Sequence, residues 1–168
     1  MARPDGMILY AAQYAALEPA KEDFADIKEL HKEKFVGFYD AALFTKEDDG
    51  KVKIVDTDES GRARGAVIGL VAGGVLGLIF PPTLLLTGLG AGAGALMGHL
   101  TTGMPRGDIK ELGEMLDAGQ AGIIMIGETT MEAGFDRLAK RATKVEKKQV
   151  DASMEDVKKA ADEAADAS

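Results

Sequence analysis

The chain has 168 residues, 29% of them charged, a net charge of -8 and no cysteine. That length holds one compact domain with room for an insertion. The acidic balance argues against nucleic acid, which needs a clustered basic surface. The lack of cysteine excludes disulfides, thiol nucleophiles and thiolate metal centres.

The N-terminus, Met1-Ala2-Arg3-Pro4-Asp5, has no sustained apolar run and does not read as a secretory signal. Met7 to Tyr14 is short and almost wholly apolar, which predicts a buried strand. A helix follows, with Pro19 near its start, where a missing N–H costs little. Its apolar stripe is Leu17, Ala20, Phe24, Ile27 and Leu30. Phe38 to Thr45 is the next strand; Asp49-Gly50 signals a hairpin turn into a strand over Val52 to Val55. The acids Asp56 to Glu59 then read as a linker.

Between Arg64 and Arg106 lie 41 residues without one Asp, Glu, Lys or Arg. Gly65, Gly69, Gly73 and Gly77 are spaced by four, Pro81-Pro82 interrupts, and Gly90, Gly94 and Gly98 resume the spacing. The pattern predicts two close-packed helices folded on each other, Gly65 to Phe80 and Thr83 to Leu100, reversing at Pro81-Pro82. At about 1.5 Å per residue they are roughly 24 and 27 Å long, slightly short of a hydrocarbon core of about 30 Å. Each interior glycine costs a helix about 0.8–1 kcal/mol relative to alanine. A face of four makes sense where another backbone comes close, as small-residue faces do in membranes. Arg62 and Arg64 before the block, with Arg106 and Lys110 after it, would keep both flanks on the cytoplasmic side. Membrane insertion, burial in a protein core and a flexible, aggregation-prone segment remain the open readings.

Beyond the block, Pro105 to Leu116 reads as a helix that Gly119 stops. Gln120 to Gly127, apolar on both faces, reads as a central strand. Met131 to Arg141 is a further helix and Thr143 to Val150 a polar edge strand. The basic run Lys140 to Lys148 within them reads as solvated. The tail from Ala152, rich in Ala, Asp, Glu and Lys, is expected to form a polar, solvated helix.

No residue pattern makes a convincing catalytic centre. Gly90 to Ala95 superficially fits a dinucleotide loop, but its glycines continue the period of four and lack the strand, phosphate-facing helix and acidic ribose partner. His99 is the one titratable group in the block, a candidate pH-sensitive or rim residue. His31 sits among charges on a helix, and two such distant histidines make no metal motif. The acidic clusters at 47–49 and 56–59 lack calcium-loop spacing. Tyr10, Tyr14 and Tyr39 read as sheet packing.

Set aside the block, and the order is β-α-β-β-α-β followed by α-β. This predicts an α+β protein: a ferredoxin-like sandwich with an inserted glycine-zipper hairpin, an α-β extension and a helical tail. The parts divide as 7–60 and 105–151 for the domain, 61–104 for the hairpin and 152–168 for the tail.

Tyr39-Asp40-Ala41-Ala42, the turn at 48–52, Arg64-Gly65-Ala66, Leu78 to Pro82, Ala95 to His99 and Asp117 to Ala121 together resemble an uncharacterised bacterial family. Its members are described as membrane proteins of unknown function, with a ferredoxin-like domain interrupted by a glycine-zipper hairpin. The resemblance spans roughly residues 7 to 150, leaves out the tail, and implies no catalytic residue or cofactor.

The expectation is a non-enzymatic homo-oligomer on the cytoplasmic face of the inner membrane, with lipid as a partner and no nucleic acid. The alternatives are a soluble assembly whose hairpins form an apolar core or lumen for lipid or another hydrophobic ligand, and a pore with His99 and Thr101-Thr102 near its mouth.

Overall fold

The computed structural model describes residues 6–32, 39–59, 79–80, 104–128 and 132–153. Five strands and three helices follow in the order β1 (Gly6–Tyr14), α1 (Leu17–Lys32), β2 (Tyr39–Lys46), β3 (Val52–Glu59), α2 (Arg106–Asp117), β4 (Ala121–Glu128), α3 (Glu132–Leu138) and β5 (Lys144–Ser153). The strands form one sheet in the order β3-β2-β4-β1-β5, every neighbouring pair antiparallel. The protein is therefore α+β.

β1 and β2, joined by α1, run parallel with β4 between them. β4 and β5, joined by α3, run parallel with β1 between them. The order corrects one expectation. The last helix and strand are no extension: they form the second of two interleaved crossovers. β3 instead is an outer edge strand, and α2 stands outside both crossovers.

Near-continuous apolar strands require cover on both faces, and both faces are covered. Side chains alternate across each strand. Thus Met7, Leu9, Ala11, Ala42, Phe44, Ile124 and Ile126 enter a core under α2 through Leu112, Met115 and Leu116. Tyr10, Ala12, Tyr14, Ala41, Leu43, Ile123 and Met125 enter a second core, under α1 and α3 through Ala20, Phe24, Ile27 and Phe135. The polar strand β5 obeys the same alternation. Lys148 reaches Glu111 of α2 at 2.7 Å, whereas Lys147 reaches Asp136 of α3 at 3.1 Å. Lys140, Lys144 and Lys147 are exposed, as expected of a solvated run, whereas Lys148 is half-buried against α2.

The acids at 56–59 are not a linker, because β3 continues through them, pairing Asp56 with Leu43 and Glu59 with Asp40. The register shifts between Leu43 and Phe44, whose β3 partners are Asp56 and Ile54. Val55 is the extra residue of this bulge. The shift turns Asp56 toward α1, where Lys28 donates to its carboxylate.

Gly50 adopts φ 84° in the β2–β3 turn, where its N–H donates to the Glu47 carbonyl at 2.9 Å. Gly119 works differently from the helix stop expected of it. A Cβ there would lie 2.6 Å from Gln13 Cγ and 3.0 Å from the Tyr14 carbonyl oxygen, so close approach to β1 demands glycine. α2 ends at Asp117, where Lys46 Nζ donates to the carbonyl at 2.7 Å and to Oδ1 at 2.9 Å. A cation there satisfies carbonyls that the helix leaves unpaired.

Candidate functional site

The informative site lies on the α2 face of the sheet, where two points of the uncharged block return to the domain. Helical backbone at Ile79 gives way to a bend at Phe80. Phe80 is buried, and its ring stands edge-on to Phe44, centroids 5.8 Å apart and planes at 68°. Such edge contacts are a favoured aromatic geometry. Gly122 makes room for the Phe44 ring: a Cβ at 122 would overlap it, coming within 2.6 Å of Cε1. Ile79 lies over α2 at Gly113, where an added Cβ would meet Ile79 Cγ2 at 3.4 Å. Met104, just before α2, is buried in the same cluster. The midpoint of the block and its end thus share one apolar core with the sheet.

Of the residues singled out from the sequence, Gly65, Gly69, Gly73, Gly77, Gly90, Gly94, Gly98, Pro81, Pro82, Arg62, Arg64 and His99 lie outside the described residues. Arg106 and Lys110 occupy the exposed face of α2, Lys110 pairing with Glu114 at 3.8 Å. His31 falls in α1. Among the described residues no helix is long and apolar enough to cross a membrane. Among them, too, no three His, Cys, Asp or Glu side chains gather as metal ligands.

The opposite face holds a charged cluster that sequence reasoning missed. Asp23 of α1 is wholly buried. Its Oδ2 accepts from the Tyr14 hydroxyl and from the Arg141 backbone N–H, each at 2.9 Å, and Oδ1 accepts from the Arg141 guanidinium at 2.6 Å. Arg141 also meets Glu22 at 2.7 Å and Asp26 at 3.5 Å. Burial, and next the Asp23 carboxylate, push the Tyr14 hydroxyl well above its ordinary value. Tyr14 therefore stays a proton donor to Asp23 and is a poor candidate for a base. The arrangement clamps the loop before β5 onto α1. A signal for it was present: Asp23 lies three residues after Ala20 and four before Ile27, on the apolar stripe itself.

A third network joins α2 to β5. Lys148 meets Glu111 at 2.7 Å and Asp108 at 3.7 Å. Hydrogen bonding to Lys148 holds the Glu111 carboxyl below its usual range, and the same bond raises Lys148.

These features define a protein built on a single antiparallel sheet with helices on both faces, with an uncharged glycine-rich block returning to one of them. The chain belongs to DUF1269, a family of proteins of unknown function, whose profile matches residues 66–164. That match begins inside the glycine-rich block, runs through α2, β4, α3 and β5, and takes in most of the tail that the resemblance had left out. No curated protein and no solved structure matches the chain.

Proposed function

We propose that this protein is a non-enzymatic, self-assembling structural protein whose glycine-rich block is buried in protein. The supporting observation is the shared core of Ile79, Phe80 and Met104 with the sheet. A two-pass hairpin reversing at Pro81-Pro82 would carry Phe80 some 24 Å from the start of its helix, at the end remote from the domain. Phe80 instead stands against Phe44. The interleaved crossovers β1-α1-β2 and β4-α3-β5 suit a ferredoxin-like core. On that reading β3, the block and α2 form an insertion between its second and third strands. The glycine faces at 65–77 and 90–98 then serve close packing within and between subunits. The interior of such an assembly is where an apolar ligand would lie.

The 41-residue uncharged run favours a second reading, association with the cytoplasmic face of a membrane. There Arg62, Arg64, Arg106 and Lys110 would flank the inserted segment, and a pore with His99 at its rim would be its extreme form. Insertion as a hairpin would first require Phe80 to leave the sheet.

Alkaline carbonate washing of membranes, followed by flotation with lipid vesicles and sedimentation without detergent, separates the readings. A defined particle released without detergent supports the protein-buried block. Retention in the washed membranes and flotation with vesicles overturns it in favour of insertion.

A further inference from the structure

β5 has little apolar anchorage. Seven side chains of β1 are buried, but among the described side chains of β5 only Val150 is. Among the described strands β5 also has a single neighbour, β1. Segments with few buried apolar contacts are the ones that open locally.

The two ends of β5 are held differently. At its start the Thr143 N–H donates to the Gln13 carbonyl at 2.7 Å, and Val145 packs against the core under α1 and α3. Just before it, Arg141 is tied to the buried Asp23 carboxylate through both its backbone N–H and its guanidinium. Breaking such a pair strands a buried charge, which is costly. At the far end the regular pairing stops: Met7 stands opposite Val150, but Gly6 stands opposite Ser153. A break of this kind disrupts the ladder. There Val150 is helped by Lys148, which reaches Glu111 at 2.7 Å and Asp108 at 3.7 Å on α2. The Glu111 side chain is 52% exposed, so water and protons reach this contact. Glu146 acts on Lys148, and Lys144 on Glu111, from the same face of β5, while the β1 residue opposite Lys148 is the apolar Leu9.

We propose that Lys148–Ser153 is an acid-released strap, anchored at Arg141, latched by Lys148 on Glu111 and Asp108, and baring the edge of β1 when it opens. The proposal holds wherever the glycine-rich block lies. Lys148 keeps the Glu111 carboxyl below 4.5, the ordinary glutamate value. The latch is therefore complete above pH 4.5 and is lost as pH falls below it, through the value in the fold. Lys148 stays charged throughout, since the same contact raises it. The anchored end keeps contacts that do not titrate, the Thr143 bond and the packing of Val145. Once bared, β1 presents backbone groups that a strand of another molecule can bond.

Amide hydrogen exchange, read residue by residue and corrected for intrinsic rates, is followed from about pH 7 to about pH 3.5. Acid alters many carboxylates, so the decisive quantity is the difference between two parts of one strand. The bonded amides of Lys148 to Val150 should lose about 2- to 5-fold more protection than those of Lys144 to Glu146, the scale of a partly exposed ion pair. Lys148→Met should show that difference already at neutral pH, and Lys148→Arg should keep the wild-type profile. Glu111→Gln, at an exposed position, makes the same test if Lys148→Met fails to fold. Equal loss of protection along all of β5 overturns the strap. So does a wild-type profile at neutral pH in either latch variant, which would mean that pairing and Val150 hold this end unaided.

Discussion

A methyl group added at position 122 would be forced into the Phe44 ring and would lie 3.2 Å from the Ala12 carbonyl oxygen. The ring cannot yield freely, because Phe80 stands against it. Gly122→Ala should therefore destabilise by about 1–3 kcal/mol, the usual cost of overpacking a core. Phe44→Leu in the same chain should recover part of that loss, and a double-mutant cycle in urea reads the coupling. Additive losses would mean that Gly122 is needed for some other reason. Tyr14 makes a second residue-scale case. Tyr14→Phe removes a buried donor to the Asp23 carboxylate, and a hydrogen bond to a charged group is worth about 1.5–3 kcal/mol at neutral pH. The loss should shrink in alkali. Below pH 10.0, the ordinary tyrosine value, folded and unfolded chains both keep the Tyr14 proton. Above it the unfolded chain ionises while the folded one stays protonated. Stability then falls by about 1.4 kcal/mol per pH unit from this group alone. Wild type should lose stability faster than Tyr14→Phe above pH 10.0, and parallel curves would show that Tyr14 ionises as easily in the fold as outside it.

At the scale of the element, most strands and helices were legible because burial leaves a periodic mark. β1 and β4 are apolar at both odd and even positions, the pattern that two covered faces demand. α2 shows its Leu112, Met115 and Leu116 stripe plainly. Strand order was not legible, since it depends on pairings such as Ala11 with Ile124, more than a hundred residues apart. Nor was the length of β3: Asp56, Asp58 and Glu59 look like linker acids until the Val55 bulge turns Asp56 toward Lys28. The anchoring role of Phe80 was hidden for a related reason. In an apolar block every side chain suits a lipid or a protein surroundings equally, and it is the Phe44 contact that gives Phe80 protein surroundings. Phe80→Ala should then cost about 3–5 kcal/mol, as truncating a buried aromatic does. A change under about 1 kcal/mol would put the block outside the cooperative core. Gly113→Ala is the counterpart on α2. Its Cβ meets Ile79 at an ordinary 3.4 Å, so it should gain up to about 1 kcal/mol of helix propensity. A loss there would mean that Ile79 packs too firmly to give way.

For the molecule as a whole, the distribution of charge matters more than its sum. Every charged side chain lies outside residues 65–105, and the net charge of -8 is carried by the rest of the chain. In the proposed self-assembly, copies that meet through an uncharged glycine-rich surface would bring these acidic domains together, so repulsion would oppose assembly while the contact itself contains no ions. Salt screens that repulsion over about 10 Å at 0.1 M and 30 Å at 0.01 M. Assembly should therefore strengthen as ionic strength rises through this range, seen as a larger sedimentation coefficient at fixed protein concentration. An assembly held instead by ion pairs along β5, an outermost described strand, which carries Lys144, Glu146 and Lys147, would weaken over the same range. Lysines on an edge strand ordinarily discourage strand-to-strand pairing, which favours the proposed contact through the uncharged surface. Dissociation by salt would therefore move the interface from the glycine faces to the sheet edge.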